Sequence, residues 1–313
     1  MSISKEIERL QQAKKDIGDA IVRKGGSVSG TIDTYAKSVM ALGDVSFRTA
    51  IDIVNKSDAK NVDLTMISPK NETSLFYLFR DNTNLINIDI SNWDVSHVTT
   101  LNGIFTNCSS LTKLDISNWD VSKVTILREL IYGCSALTTF DANKWNTSNV
   151  TSMESVFTNC NSLTTLNISE WDTSNVTNMW RMFWNCQSIN ILDLSKWNTS
   201  NVTDAEYLFY NCRSLTTLNL SGWDMSKIKS MLGFFYLCYG LSEIRSDGAK
   251  LPNIDLNNIS LNYCPLTVDS IVGLLNALPQ SDKGYSFQIG SANIAKLSEE
   301  QKAIATDKGW TLI

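Results

Sequence analysis

A single histidine, His97, serves all 313 residues. That scarcity removes histidine-based metal sites and serine–histidine triads, since neither can be assembled from one imidazole. No apolar run approaches the roughly 18 residues that suggest a bilayer span. Basic residues are scattered and outnumbered, 27 against 32 acidic ones, so no basic stripe exists to follow a phosphate backbone. The glycine-containing stretch "KGGSVSG" at 24–30 lacks the spacing of a phosphate loop. The seven cysteines include no C-x-x-C pair and so suggest neither a zinc ribbon nor a redox motif. Residues 1–25 are polar and charged from Lys5 onward, and no secretory leader is expected there.

Strict periodicity takes the place of these motifs. Trp93, Trp119, Trp145, Trp171, Trp197 and Trp223 stand 26 residues apart. Cys108, Cys134, Cys160, Cys186, Cys212 and Cys238 keep the same step. Two interleaved ladders of rare residues in one register mark a stacked-repeat protein. One unit, Leu163–Ser188, reads "LTTLNISEWDTSNVTNMWRMFWNCQS". Leu166 and Ile168 share one face of a short strand. Val176, Met179, Met182 and Phe183 recur as the inner face of a helical turn or short helix. The predicted fold is therefore an α/β leucine-rich-repeat solenoid, with a parallel sheet on one face and short helical turns on the other. A single unit leaves both its faces open, and stacking is what closes them.

The ends divide the chain. Residues 1–45 read as a helical segment for attachment or oligomerisation, 46–84 as a linker and N-terminal cap coil, 85–250 as the repeats and 251–313 as a C-terminal cap. Ile3, Ile7, Leu10, Ile17 and Ile21, followed by Tyr35 and Val39, form apolar stripes that must pack on a copy of the chain or on a partner. A strand is expected around Ser46–Val54. Cys264 falls in the cysteine register, but the leucine after it comes one residue early, so its match reads as partly fortuitous. The cap should contain a helix at Val268–Ala277, a strand at Tyr285–Ile289, a helix at Ser298–Thr306 and a strand at Trp310–Ile313. Ser298 and Gln301 are spaced as a capping box.

Both ladders read as structural, with thiols and indoles pointing along the core. His97 occupies a polar turn slot held elsewhere by Lys or Asn. The Asp or Asn after each Trp, with Ser two residues later, reads as a turn cap. The outward columns of the sheet remain as the candidate binding surface, on a concave face: Asn87, Asp89, Lys113, Asp115, Thr139, Asp141, Thr165, Asn167, Ile191, Asp193, Thr217 and Asn219. Its carboxylate column could serve glycoside hydrolysis or calcium; a solvated repeat face is the simpler reading. Trp180 and Trp184 lie off the ladder, on the helical side, and join the candidate surface as exposed contacts. No catalytic residue, metal site or cofactor is expected.

The unit "LDLSKWNTSNVTDAEYLFYNCRSLTTL" resembles the BspA-type surface-protein repeats of bacteria, with their W-D/N-T-S-N-V-T signature, over residues 59–245. "PLTVDSIVGLLNALPQ" and "AKLSEEQKAIATDKGWTLI" resemble the cap found with such repeats in gut bacteria and their phages. "EIERLQQAKKDIGDAIVRKGGSVSGTIDTYAKSV" resembles a segment that opens bacteriophage tail, fibre and other virion proteins. Exported bacterial members carry a signal peptide and an anchor, and neither is read here. The resemblance thus implies a non-enzymatic virion protein, fibre or tail-associated, made in the host cytoplasm. Its implied partners are other virion proteins through residues 1–45, and a host-surface glycan or protein. It also implies a homo-oligomer, a trimer by analogy with fibres. The alternatives are a BspA-like adhesin or interaction scaffold at a bacterial surface and, from another class, a glycan depolymerase.

Overall fold

Each 26-residue unit closes one coil of a solenoid. A computed structural model describes residues 46–56, 58–65 and 67–313. Within it, successive coils supply the short strands β1 (Asn61–Asp63), β2 (Asn87–Asp89), β3 (Lys113–Leu114), β4 (Thr139–Asp141), β5 (Thr165–Asn167), β6 (Ile191–Asp193), β7 (Thr217–Asn219) and β8 (Glu243–Arg245). Neighbouring strands are parallel with a shift of one repeat, as in Val62 opposite Ile88 and Leu218 opposite Ile244. Hydrogen bonding groups them as β1–β3, β4–β5 and β6–β8. The middle residue of a strand faces the core and its neighbours face out, the period-two rule of an extended chain. Ile88, Phe140 and Leu192 are accordingly buried.

The other side of each coil, expected as a helical turn or short helix, is built of turns. Among the described residues no α-helix falls inside the coils carrying β1 to β8. A run of tight turns takes its place, and its N–H groups alternate between two kinds of acceptor. Ile104, Thr106 and Cys108 donate three residues back, to Leu101, Gly103 and Phe105. Leu101, Gly103, Phe105 and Asn107 donate to the next coil, at Ile126, Arg128, Leu130 and Tyr132. Left-handed residues four apart make this alternation possible: Gly103 (φ 64°) with Asn107 (59°), and Arg181 (56°) with Asn185 (59°). Each one breaks the helical ladder and turns alternate N–H groups along the solenoid axis. Apolar residues three apart suit a helix and this turn run equally, which is why the spacing left a helical turn and a short helix both open. Isolated parallel bridges from Ser74 through Thr100, Ile126, Ser152 and Asn178 to Asp204 continue the second ladder.

Between the two ladders lies one core. Indoles stack along it, Trp171 on Trp197 at 6.3 Å between centroids and 4° between planes. Phe183 stacks on Phe209 in parallel at 5.5 Å. All seven cysteines are free and buried. Two carbonyls per coil receive a second hydrogen bond from the coil that follows. Leu194 O accepts the Trp197 backbone N–H at 3.0 Å and Trp223 Nε1–H at 2.8 Å. Phe183 O accepts the Cys186 N–H and the Cys212 thiol at 3.1 Å. Cys264, expected to be a partly fortuitous match, is a true rung: it is buried with Sγ 4.0 Å from Phe235 O.

Two caps close the stack. Helix α1 (Phe47–Asn55) stands where a strand was expected. Its apolar residues Phe47, Ala50, Ile51 and Val54 follow steps of three, one and three, so only a helix brings them to one face. Ser46 caps it by accepting the Thr49 N–H, and Phe47 meets the edge of Trp93 at 5.2 Å. At the far end helix α2 (Val268–Ala277) replaces a ninth repeat strand, and Ser270 Oγ accepts the Ile244 N–H at 2.9 Å. Strand β9 (Ser286–Phe287), the short helix α3 (Ser291–Ile294), helix α4 (Glu299–Thr306) and strand β10 (Thr311–Leu312) follow. Ser298 and Gln301 form the expected capping box, and β10 pairs in parallel with β9. Both strands are shorter than the sequence suggested.

Candidate functional site

The repeat signature is used up by the stack. In "WNTSNVT" at 145–151, Trp145 Nε1–H donates to Ile116 O at 2.9 Å. Asn146 Oδ1 accepts the Ser148 N–H at 3.2 Å. The Thr147 hydroxyl donates forward to Asp172 O at 2.9 Å, and Asn149 Nδ2 donates back to Ser122 O at 2.7 Å. The Thr151 hydroxyl donates to Thr125 O at 3.2 Å. His97 fills the Asn149 slot, half-buried, with Nε2 2.7 Å from Pro69 O. It is thus engaged between coils in the polar turn slot the sequence assigned to it. Such residues are engaged in holding neighbouring coils together, and the outward columns are the positions that the repeat does not fix.

The sheet face gathers the twelve predicted strand residues. Asn87, Thr217 and Asn219 are half-buried, and Asp89, Lys113, Asp115, Thr139, Asp141, Thr165, Asn167, Ile191 and Asp193 are exposed. The carboxylates are tied down locally. Asp89, Asp115 and Asp193 each accept the N–H of the serine two residues on, at 3.2, 3.2 and 3.0 Å. Asp141 accepts the Asn143 N–H at 3.1 Å and Asn167 Nδ2–H at 3.1 Å. Donors stabilise the charged form, and the Ser195 hydroxyl and N–H hold Asp193 below the usual carboxylate range. A shallow depression of about 480 Å³ lies over β1 to β3, lined by Asn61, Asp63, Asn87, Asp89, Lys113 and Asp115. Ile191 is the apolar exception on this face, 64% exposed between Thr165 and Thr217.

Trp180 and Trp184 do not join this surface. They belong to the turn run across the core, and both are half-buried rather than fully exposed. The Arg181 guanidinium lies between them, its carbon 4.0 Å from the Trp180 ring centre and 4.2 Å from that of Trp184. Trp184 stacks on Tyr210 at 4.0 Å and 14°, and Tyr210 on Tyr236 at 5.1 Å. Tyr263 meets Tyr236 edge-on at 5.2 Å. The sequence held a signal for this strip: the column Trp184, Tyr210, Tyr236 is aromatic in three successive coils, where earlier coils carry Thr106, Tyr132 and Thr158.

The predicted attachment residues Ile3, Ile7, Leu10, Ile17, Ile21, Tyr35 and Val39 lie outside the described residues. Among the described residues no helix is long and apolar enough to cross a membrane, and no group of three or more His, Cys, Asp or Glu side chains is placed to hold a metal ion.

A capped leucine-rich-repeat solenoid, polar on its sheet face and aromatic along part of its turn face, is the class of protein this geometry defines. The chain belongs to the family described as "Mycoplasma protein of unknown function, DUF285", which matches residues 50–142 and 136–246. No curated protein matches the sequence. Among solved structures, the mouse RP105/MD-1 complex is similar at 15% identity, over 85% of this chain and 51% of that one, with a TM-score of 0.27. A leucine-rich repeat protein from Bacteroides ovatus is similar at 13% identity, over 74% of this chain and 67% of that one, with a TM-score of 0.26. The chain spans about half the length of the mouse chain it matches.

Proposed function

We propose that this chain is a non-enzymatic binding scaffold, a stiff solenoid whose outward columns recognise a macromolecular partner. The observation that carries the reading is the division of labour within each coil. The signature side chains bond between coils, while the outward positions vary from coil to coil. The sheet-face carboxylates, each engaged by the residue two positions on, favour display over turnover. A BspA-like adhesin or interaction scaffold is compatible with this reading.

The finer version makes the chain a fibre or tail-associated virion protein, anchored and self-associated through residues 1–45, with a host-surface glycan or protein as its target. It rests on the resemblance of that segment to virion proteins. A bacterial cell-surface location is its alternative. Quantitative proteomics of purified particles and of surface-shaved cells separates the two: enrichment in particles supports the virion location, and enrichment at the cell surface replaces it.

A photo-crosslinker placed at Thr165 tests the scaffold reading, with the same group at Lys302 on the cap as control. One discrete partner adduct is expected from Thr165 and none from Lys302. Release of sugar from host polysaccharide by the purified protein, abolished in Asp115→Asn or Asp141→Asn, would replace the scaffold with a depolymerase.

A further inference from the structure

The turn face carries a feature that the solenoid does not need. In the column holding Thr106, Tyr132, Thr158, Trp184, Tyr210 and Tyr236, the threonines serve the stack. Thr106 Oγ1 donates to Glu129 O at 3.2 Å and Thr158 Oγ1 to Arg181 O at 2.6 Å. The three aromatic residues that follow give up that bond and form a continuous pile instead. Tyr239 and Tyr263 extend it, 50% and 40% exposed. Large side chains in place of a bonded threonine, over consecutive coils, point to a ligand rather than to folding.

Ring orientation narrows the ligand. One face of Trp184 is covered by Tyr210 and the Arg181 guanidinium lies over the ring as well. Tyr210 in turn lies between Trp184 and Tyr236. Sugars stack on free ring faces, and these faces are taken. Ring edges and donors remain. The indole N–H groups of Trp180 and Trp184 have no acceptor among the described residues. Arg181 makes no ion pair or side-chain hydrogen bond among them, and its buried Nε has no partner. The strip thus offers ring edges and donors, and it calls for a ligand with an apolar body rich in acceptors. A proline-rich segment fits, because proline lacks the N–H and leaves its carbonyls unpaired in the polyproline II conformation. Length agrees as well. One turn of that helix rises about 9 Å, close to two strand spacings of roughly 4.8 Å, the interval from Trp184 to Tyr236. Charge is the third constraint. Glu154, Asp204 and Glu206 lie in the coils on either side of Trp180. Glu154 is already paired with Arg128 at 3.1 Å, while Asp204, whose carboxyl burial holds above its usual range, and Glu206 have no cationic partner among the described residues, so a cation brought by the ligand would be favoured beside them.

We propose that the aromatic strip around Arg181, Trp184, Tyr210 and Tyr236 binds a proline-rich, basic-flanked peptide segment in the polyproline II conformation. This names a partner class within the scaffold reading, on a face separate from the sheet. Rigid proline-rich segments docking into aromatic-lined grooves lose little entropy.

The full chain should be titrated with a synthetic peptide of about six prolines, roughly 19 Å long, flanked by arginines, following tryptophan emission and heat. Controls are a glycine–serine peptide with the same flanks and a soluble hexasaccharide of glucose. Saturable binding of the proline peptide alone is expected. The double variant Trp184→Thr, Tyr210→Thr should weaken it about tenfold or more. That variant restores the residue that two other coils carry at this position, and an unchanged melting curve verifies its fold. Ile191→Thr on the sheet face should leave the affinity unchanged. Equal binding of the glycine–serine peptide, binding that survives the double variant, or binding of the hexasaccharide alone would overturn the proposal. Loss through Ile191→Thr only would also overturn it while leaving a sheet-face scaffold standing.

Discussion

At the scale of single residues, this protein answers two needs with each rare side chain. An indole or thiol fills core volume, and its one hydrogen satisfies a carbonyl in the preceding coil. Burial pushes the Cys108, Cys160 and Cys238 thiols up to about 12 and raises the other cysteines as well. The thiolate is the reactive form. A thiol reagent at pH 8 should therefore label none of the seven cysteines in the folded chain and all seven after denaturation, counted by intact mass. Rapid labelling of a single cysteine under native conditions would contradict the ladder at that rung.

The carboxylates make the acid response calculable in sign. Ser226 and Lys250 hold Asp224 down to about 2, and donors from Ser96 and Ser122 lower Asp94 and Asp120. A carboxylate lowered in the folded state contributes stability above its unfolded value, about 3.9 for Asp. That contribution is lost as pH falls toward the folded value. Glu154 and Asp204 are raised, so their protonation relieves the folded state on the way down. The urea midpoint is expected to stay level or rise slightly from pH 7 to 5 and then to fall steeply from about 4 to 2. Asp224→Asn should shrink that acid limb and leave the shape at neutral pH alone.

At the scale of elements, the turn run is the least ordinary part. Its left-handed positions accept Ser155, Arg181 and Tyr207 as well as glycine, because inter-coil hydrogen bonds fix the backbone there. Gly233 has a second constraint. A Cβ on it would come within 2.6 Å of the Tyr207 ring, which crosses it from the preceding coil. Gly233→Ala should cost more than the roughly 1–2 kcal/mol of left-handed alanine alone. Most of the excess should vanish in the background Tyr207→Ser, which keeps the residue type found at Ser155. A denaturant double-mutant cycle reads this coupling, and strict additivity would show that the ring and the glycine do not meet in solution. The cap helix α1 teaches a related lesson. Its Phe47, Ala50, Ile51 and Val54 carry a helical spacing, although a strand was expected over this stretch. The open end of the core, with Trp93 waiting, selects the helix.

At the scale of the whole molecule, contacts run from coil to neighbouring coil. Stability should then be a sum of repeat and interface terms. Deleting Leu163–Ser188 joins Ser162 to Ile189 in phase. The shortened chain should remain folded with the same far-ultraviolet spectrum per residue and a modestly lower Tm. Deleting about half of that repeat should abolish cooperative melting. A cooperative fold after the half deletion would mean that the coils do not keep the register described.

The sequence by itself determined the period, the inward positions, the two ladders, the coil boundaries and most of the C-terminal cap. It could do so because every coil repeats one solution and rare residues mark the phase. Tertiary structure decided what local spacing leaves ambiguous. It gave the helical side its left-handed turn run, put Cys264 on the ladder, and half-buried Trp180 and Trp184 where exposed contacts were expected. The reason is physical: the deciding hydrogen bonds join residues 25 to 29 positions apart, and an apolar step of three is common to both backbones. The 26-residue ladder fixes where each side chain stands, and only the neighbouring coil settles which way its backbone turns.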